Sequence, residues 1–214
     1  MKSIRSRRAV SITIALAIAS VSAAGLSGCT DAPPAASASA ASSPIPEFDP
    51  DDTLWTVDST GEQLELEDAD VQALQQVVAL HSAASDNRSP STIVDSVDAE
   101  LRSFSELFTE KLTAQGYREG VIALYVDNDL SIEQTGVAWL VSTLDEEREH
   151  ATVGFESIFR IVGASEGYLH QIGVAAGEEL AQPREYSLTK IDGTWLIDDI
   201  KKGPLRKSAA PGNG

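Results

Sequence analysis

Asp192-Gly193 separates two runs of alternating residues, Glu185 to Ile191 and Thr194 to Lys201. An Asp-Gly pair accepts the positive φ angles of a two-residue turn, whose twist matches the strands it joins. The chain should therefore close in a β-hairpin, and the turn fixes which side chains share a face. Pairing outward places Lys190 opposite Trp195, Leu188 opposite Ile197 and Tyr186 opposite Asp199. Tyr186, Leu188, Trp195 and Ile197 then form one apolar face, which must lie against another layer.

Two helices are expected upstream. Asp68 or Asp70 can cap the first, whose apolar positions run Val71, Leu74, Val78 and His81 with Val77 beside them. After a loop over Asn87 to Ser91, Val94, Val97, Leu101, Phe104, Phe108 and Leu112 predict one long helix ending at Gly116. Strand signals follow. Val121 to Val126 is a short apolar run, and Val137, Trp139 and Val141 alternate with Ala138 and Leu140. From Glu149 to Ile161, Ala151, Val153, Phe155, Phe159 and Ile161 take one face, while His150, Thr152, Glu156 and Arg160 take the other. Asp145 to Arg148 is the charged turn before that strand. Over 168–181, Gly173 and Gly177 weaken a helix, and a strand plus loop is equally open. Helices followed by strands predict an α+β domain, with N-terminal helices packed on a curved antiparallel sheet.

The helix-then-sheet order and the closing segment Tyr186-Ser187-Leu188-Thr189-Lys190-Ile191-Asp192-Gly193-Thr194-Trp195-Leu196-Ile197-Asp198-Asp199-Ile200 resemble the nuclear transport factor 2-like, or cystatin-like, superfamily over about residues 65–201. The resemblance implies a cone-shaped sheet around helices, often with a pocket at its open end. Its members include isomerases, polyketide cyclases and many non-catalytic domains, so it implies a fold and no single activity.

The N-terminus reads as an address. Lys2, Arg5, Arg7 and Arg8 precede an apolar stretch from Ala9 to Leu26, and Leu26-Ser27-Gly28-Cys29 resembles the lipobox of bacterial lipoproteins. That resemblance implies cleavage after Gly28 and lipid on Cys29, which would hold the chain on the outer face of the cell membrane. Two or more acyl chains anchor stably where one does not. Ser6-Arg7-Arg8 leaves the twin-arginine and general secretory routes both open. Cys29 is the only cysteine, so no disulfide forms within the chain, and stability must come from a packed core. Residues 1–28 read as signal peptide, and 29–50 as the lipidated Cys with an Ala/Ser/Pro stalk. Residues 51–202 read as one α+β domain, and 203–214 as a disordered tail.

The chain carries 16 Lys and Arg against 33 Asp and Glu, a net charge of −17; loss of residues 1–28 removes four of those cations and leaves 12 against 33, or −21. Such a charge excludes nucleic acid as a partner, because that needs a basic footprint.

Apparent catalytic motifs dissolve on inspection. Gly163-Ala164-Ser165-Glu166-Gly167 has the spacing of a nucleophile elbow, yet no later Asp-then-His order follows it. Asp127-Asn128-Asp129 opens like a calcium loop, but Ile132 and Ala138 stand where Gly and Glu are required. His81, His150 and His170 lack metal spacing; His81 reads as a helix-edge residue and His150 as a sheet-surface one. Asn87-Arg88-Ser89 fits a glycosylation pattern and reads as a loop between helices. No cofactor is expected. One pair carries an enzymatic alternative: Asp199 facing Tyr186 could supply a general base and an enolate-stabilising hydroxyl, as in an isomerase or cyclase. The leading expectation is a non-catalytic envelope domain. It would bind a small apolar ligand in a pocket lined by Trp139, Phe155, Tyr186, Leu188, Trp195 and Ile197, or an envelope protein. A structural accessory to a cell-wall enzyme or transporter is the third expectation.

Replacing Cys29 by Ser should leave the chain unprocessed or released from membranes, as read by fractionation and mass spectrometry. An unchanged mature mass in the membrane fraction would contradict the lipobox reading.

Overall fold

The computed structural model describes residues 53–208. The expected signal peptide, Cys29 and the stalk lie outside these residues. The order is β1 (Trp55–Val57), α1 (Ala69–Asp86), α2 (Ile93–Leu101), α3 (Glu106–Ala114), α4 (Tyr117–Asp127), β2 (Ser131–Trp139), β3 (Ser142–Leu144), β4 (His150–Gly163), α5 (Glu166–Ile172), β5 (Glu179–Ile191), β6 (Thr194–Lys202) and β7 (Arg206–Lys207). Helices pack against a curved, unclosed sheet of seven strands, as the α+β expectation requires.

The two long strands form the spine. β4 pairs with β2 along its second half, with β3 near its start, and with β5 over its length; β5 pairs with β6 and, at its beginning, β7. The sheet is mixed rather than wholly antiparallel, because β1 runs parallel to β3. Between β2 and β3 the chain crosses Gly154 so closely that a Cβ there would lie 2.6 Å from the Val141 carbonyl oxygen. Only glycine fits.

The closing hairpin forms around Asp192 at φ 49° and Gly193 at φ 78°. Lys190 pairs with Trp195 and Leu188 with Ile197, as the turn dictates. A register shift between Ser187 and Leu188 then displaces the rest, so Tyr186 lies opposite Ile200 and Asp199 opposite Ser187. A bulge inserts one unpaired residue and re-aims every side chain beyond it.

Asp68 caps α1, accepting from the backbone N–H groups of Asp70 at 2.9 Å and Val71 at 3.3 Å. Asp70 instead accepts from the Trp195 indole at 3.0 Å and from Lys190. The long helix expected over 94–112 is two helices. Ser103 Oγ turns back to the Glu100 carbonyl at 2.6 Å, and Ser105 caps α3 by accepting from Phe108 N–H at 3.3 Å. Such local side-chain bonds compete with helix continuation. Between them the chain docks on β6: Ser105 N–H donates to Ile197 O, and Ile197 N–H to Ser103 O, both at 2.9 Å. In α2 the buried positions are Ile93, Val97 and Glu100, while Val94 is exposed.

Three further expectations change. Val121 to Val126 is part of α4, because Gly116 at φ 66° restarts a helix and Asn128 closes it on the Leu124 carbonyl at 2.8 Å. Short apolar runs do not separate strand from helix. The open stretch 168–181 begins in α5, which Ser165 caps and Gly173 ends at φ 69°. Within the expected tail, Arg206 and Lys207 pair with Ala181 and Leu180, extending the domain past residue 202.

Trp195, 2% exposed in the main core cluster, joins the hairpin to α1. Trp195→Ala should cost about 3–5 kcal/mol in denaturant unfolding of the full-length chain. A cost below about 1 kcal/mol would contradict the burial.

Candidate functional site

Ser157 stands on the inner face of β4 between Phe155 and Phe159, and these two rings belong to different apolar clusters. One cluster joins Val71, Leu74 and Val78 of α1 to Phe155, Leu188, Trp195 and Ile197 of the sheet. The other joins Ile93 and Val97 of α2 to Tyr125, Phe159, Ile161 and Leu180. A belt of buried polar side chains lies between them: His81, Ser82, Ser85 and Asp86 from α1, Arg88 and Glu100 beside and within α2, Ser157, and Arg184 from β5.

Glu100 is the centre of one half. His81 Nε2 donates to Oε1 at 3.1 Å, Arg88 Nη2 donates to Oε2, and the Tyr117 hydroxyl lies 3.0 Å from both oxygens. Burial alone would raise the Glu100 pKa, but the His81 hydrogen bond and the Arg88 charge outweigh it and hold it at about 2. An ionised Glu100 fixes the His81 tautomer, leaving Nδ1 to accept the Tyr186 hydroxyl at 3.1 Å. Burial keeps His81 neutral against the pull of Glu100, and it pushes the Tyr186 hydroxyl up to about 12.

The second half centres on Asp86. Arg184 Nη2 donates to Oδ1 at 2.7 Å, while Ser157 and Ser82 hydroxyls donate to Oδ2 at 2.6 and 2.9 Å. Burial would raise Asp86, yet the Arg184 charge and these bonds lower it. Gln134 of β2 reaches Ser82 at 2.7 Å. The belt thus ties α1, α2, α4 and three strands together with matched charges.

The structure separates the expected catalytic pair. Tyr186 is fully buried in the belt, and Asp199 carries an exposed ion pair with Lys111 at 3.3 Å. The expected pocket residues do share the concave side. Phe155, Tyr186, Leu188, Trp195 and Ile197 are at most 2% exposed and pack with Val71, Leu74, Val78, Phe104 and Phe108, with Trp139 partly buried against them. Trp139 meets Phe155 edge-on at 5.1 Å. A cleft of about 230 Å³ is bordered by Asp58, Asp145, His150, Asp198 and Leu188, and Leu188 is the one expected pocket residue that lines it. Among the described residues, no cluster could hold a metal ion and no helix is long and apolar enough to cross a membrane.

His81 is therefore a core residue rather than a helix-edge one, and Glu100, Arg88, Asp86 and Arg184 were not anticipated. Their sequence signal is faint: an acid three residues after Val97 on the buried stripe, and a serine between Phe155 and Phe159.

No family model matches the chain, and no curated protein matches it. Among solved structures, the chain is similar to the periplasmic domain of DotI, with 10% identity and a TM-score of 0.43 over 67% of this chain and 99% of that one. It is similar to Agrobacterium tumefaciens VirB8 at 6% identity and TM-score 0.40, over 65% and 95%. It is also similar to the intermembrane space region of chloroplast protein ARC6 at 7% and 0.40, over 64% and 96%. Likenesses this distant carry no activity or partner across.

The belt sets the response to acid. His81 sits below its ordinary 6.5 and Glu100 below its ordinary 4.5, so in both cases the unfolded chain binds the proton more readily. Stability should fall as pH drops below about 6.5, and fall more steeply from about 4.5 toward 2, read as Tm by circular dichroism. A Tm that is flat or rising across that window would contradict the charge states.

Proposed function

We propose that this chain is a lipid-anchored accessory protein of the cell envelope. Cys29 would tether it to the outer face of the membrane, residues 29–50 would act as a stalk, and the domain would hold an envelope protein through its outer surface without performing chemistry. One observation carries this reading: the concave side is occupied by core side chains, and its carboxylates are engaged by one another's cations and hydroxyls. A pocket enzyme needs convergent ionisable groups free to meet a substrate, and an apolar-ligand carrier needs an apolar cavity. The acidic charge suits a partner that presents basic residues.

The test is site-specific photocrosslinking in native membranes, from exposed Leu80, Leu107, Val141 and Val162. The expected result is an adduct to one envelope protein from a subset of these positions, lost when Cys29 is replaced by Ser. Saturable binding or turnover of an apolar ligand by the full-length chain alone would overturn the reading.

A further inference from the structure

Thr143, Thr152 and Ser187 are cross-strand neighbours on β3, β4 and β5. Their chain neighbours Leu144, Ala151, Val153 and Leu188 are buried in the core, so alternation turns the three hydroxyls to the outer face of the sheet. There they line the cleft of about 230 Å³. Asp58, just past the end of β1, and Asp198 of β6 line it as well. Asp198 is the residue that the register shift inserts: Ser187 pairs with Asp199 and Leu188 with Ile197, which leaves Asp198 between them. A bulge re-aims a side chain, and this one brings a carboxylate to the cleft.

The contrast with the belt is in the partners. Among the described residues, no cation pairs with Asp58 or Asp198, and the three hydroxyls make no hydrogen bond. The strand order β1-β3-β4-β5-β6 sets Asp58 and Asp198 four strand spacings apart, roughly 19 Å at about 4.8 Å per spacing. One ammonium or guanidinium cannot meet both. An extended chain, at about 3.3 Å per residue, covers the distance in about six residues. The acidic charge of the protein attracts a basic segment to this face. A second copy of the chain would instead bring the same carboxylates against these.

We infer that the cleft is the docking site for a short, extended, basic segment of the envelope partner. The segment crosses the strands over Thr152 and Ser187 and carries a basic side chain near each end, one toward Asp58 and the other toward Asp198. The inference rests on the accessory reading and names the surface and the chemistry it holds. Ammonium and guanidinium groups only donate, which suits carboxylates, and hydroxyls can both donate to and accept from the backbone of the segment. Exposed charge pairs act more on encounter and register than on affinity, so binding should weaken as salt rises.

The test titrates the full-length chain with a short capped peptide that has an arginine near each end and alanines between. The control peptide carries citrulline in place of arginine. The arginine peptide should give saturable amide shifts at Thr152 and Ser187, and the citrulline peptide none. Asp58→Asn combined with Asp198→Asn should fold, because neither carboxylate holds an internal partner, and should weaken binding by at least about tenfold. Shifts that the double variant leaves unchanged, or that citrulline reproduces, would overturn the proposal. In native membranes a photocrosslinker at exposed Thr152 should form an adduct that the double variant loses. Adducts from Leu80, Leu107, Val141 or Val162 with none from Thr152 would overturn this docking site and leave the accessory reading standing. No adduct from any position would overturn both.

Discussion

The Glu100 carboxylate is the interaction on which the rest of this fold leans. It is buried on α2, where an apolar residue would be expected, and it collects His81 of α1, Arg88 of the following loop and Tyr117 of α4. Through His81 it reaches Tyr186 of β5. An unpaired carboxylate in such a place would be prohibitive, so these elements must arrive together. The belt thereby sets one relative position of helices and sheet, which two apolar clusters alone would leave less defined.

Local chemistry was legible and long-range pairing was not. Asp192-Gly193 gave the turn and the first pairs of the hairpin, and Asp68 and Val71, Leu74 and Val78 gave the start and buried face of α1. The bulge beside Ser187 carries no glycine or proline, so nothing announced it, and one residue of slip separated Asp199 from Tyr186. The break between α2 and α3 hid because Leu101, Phe104 and Phe108 keep helical spacing across it. The belt was illegible for a deeper reason: His81, Glu100, Arg88, Tyr117 and Tyr186 acquire meaning only as partners, and they are far apart in the chain.

The same belt frames the functional reading. Polar groups in the interior of a cone invite a catalytic interpretation, and partner geometry decides it. Here the carboxylates are answered by cations and hydroxyls of the chain itself, which is the arrangement of a structural network.

A double-mutant cycle between Arg88 and Glu100 tests most directly that the belt is a self-compensating lock. Arg88→Met and Glu100→Met each strand a buried charge, whereas the double substitution removes both. The account predicts that the double variant, unfolded in denaturant, is no less stable than the worse single one. Losses that simply add would contradict it.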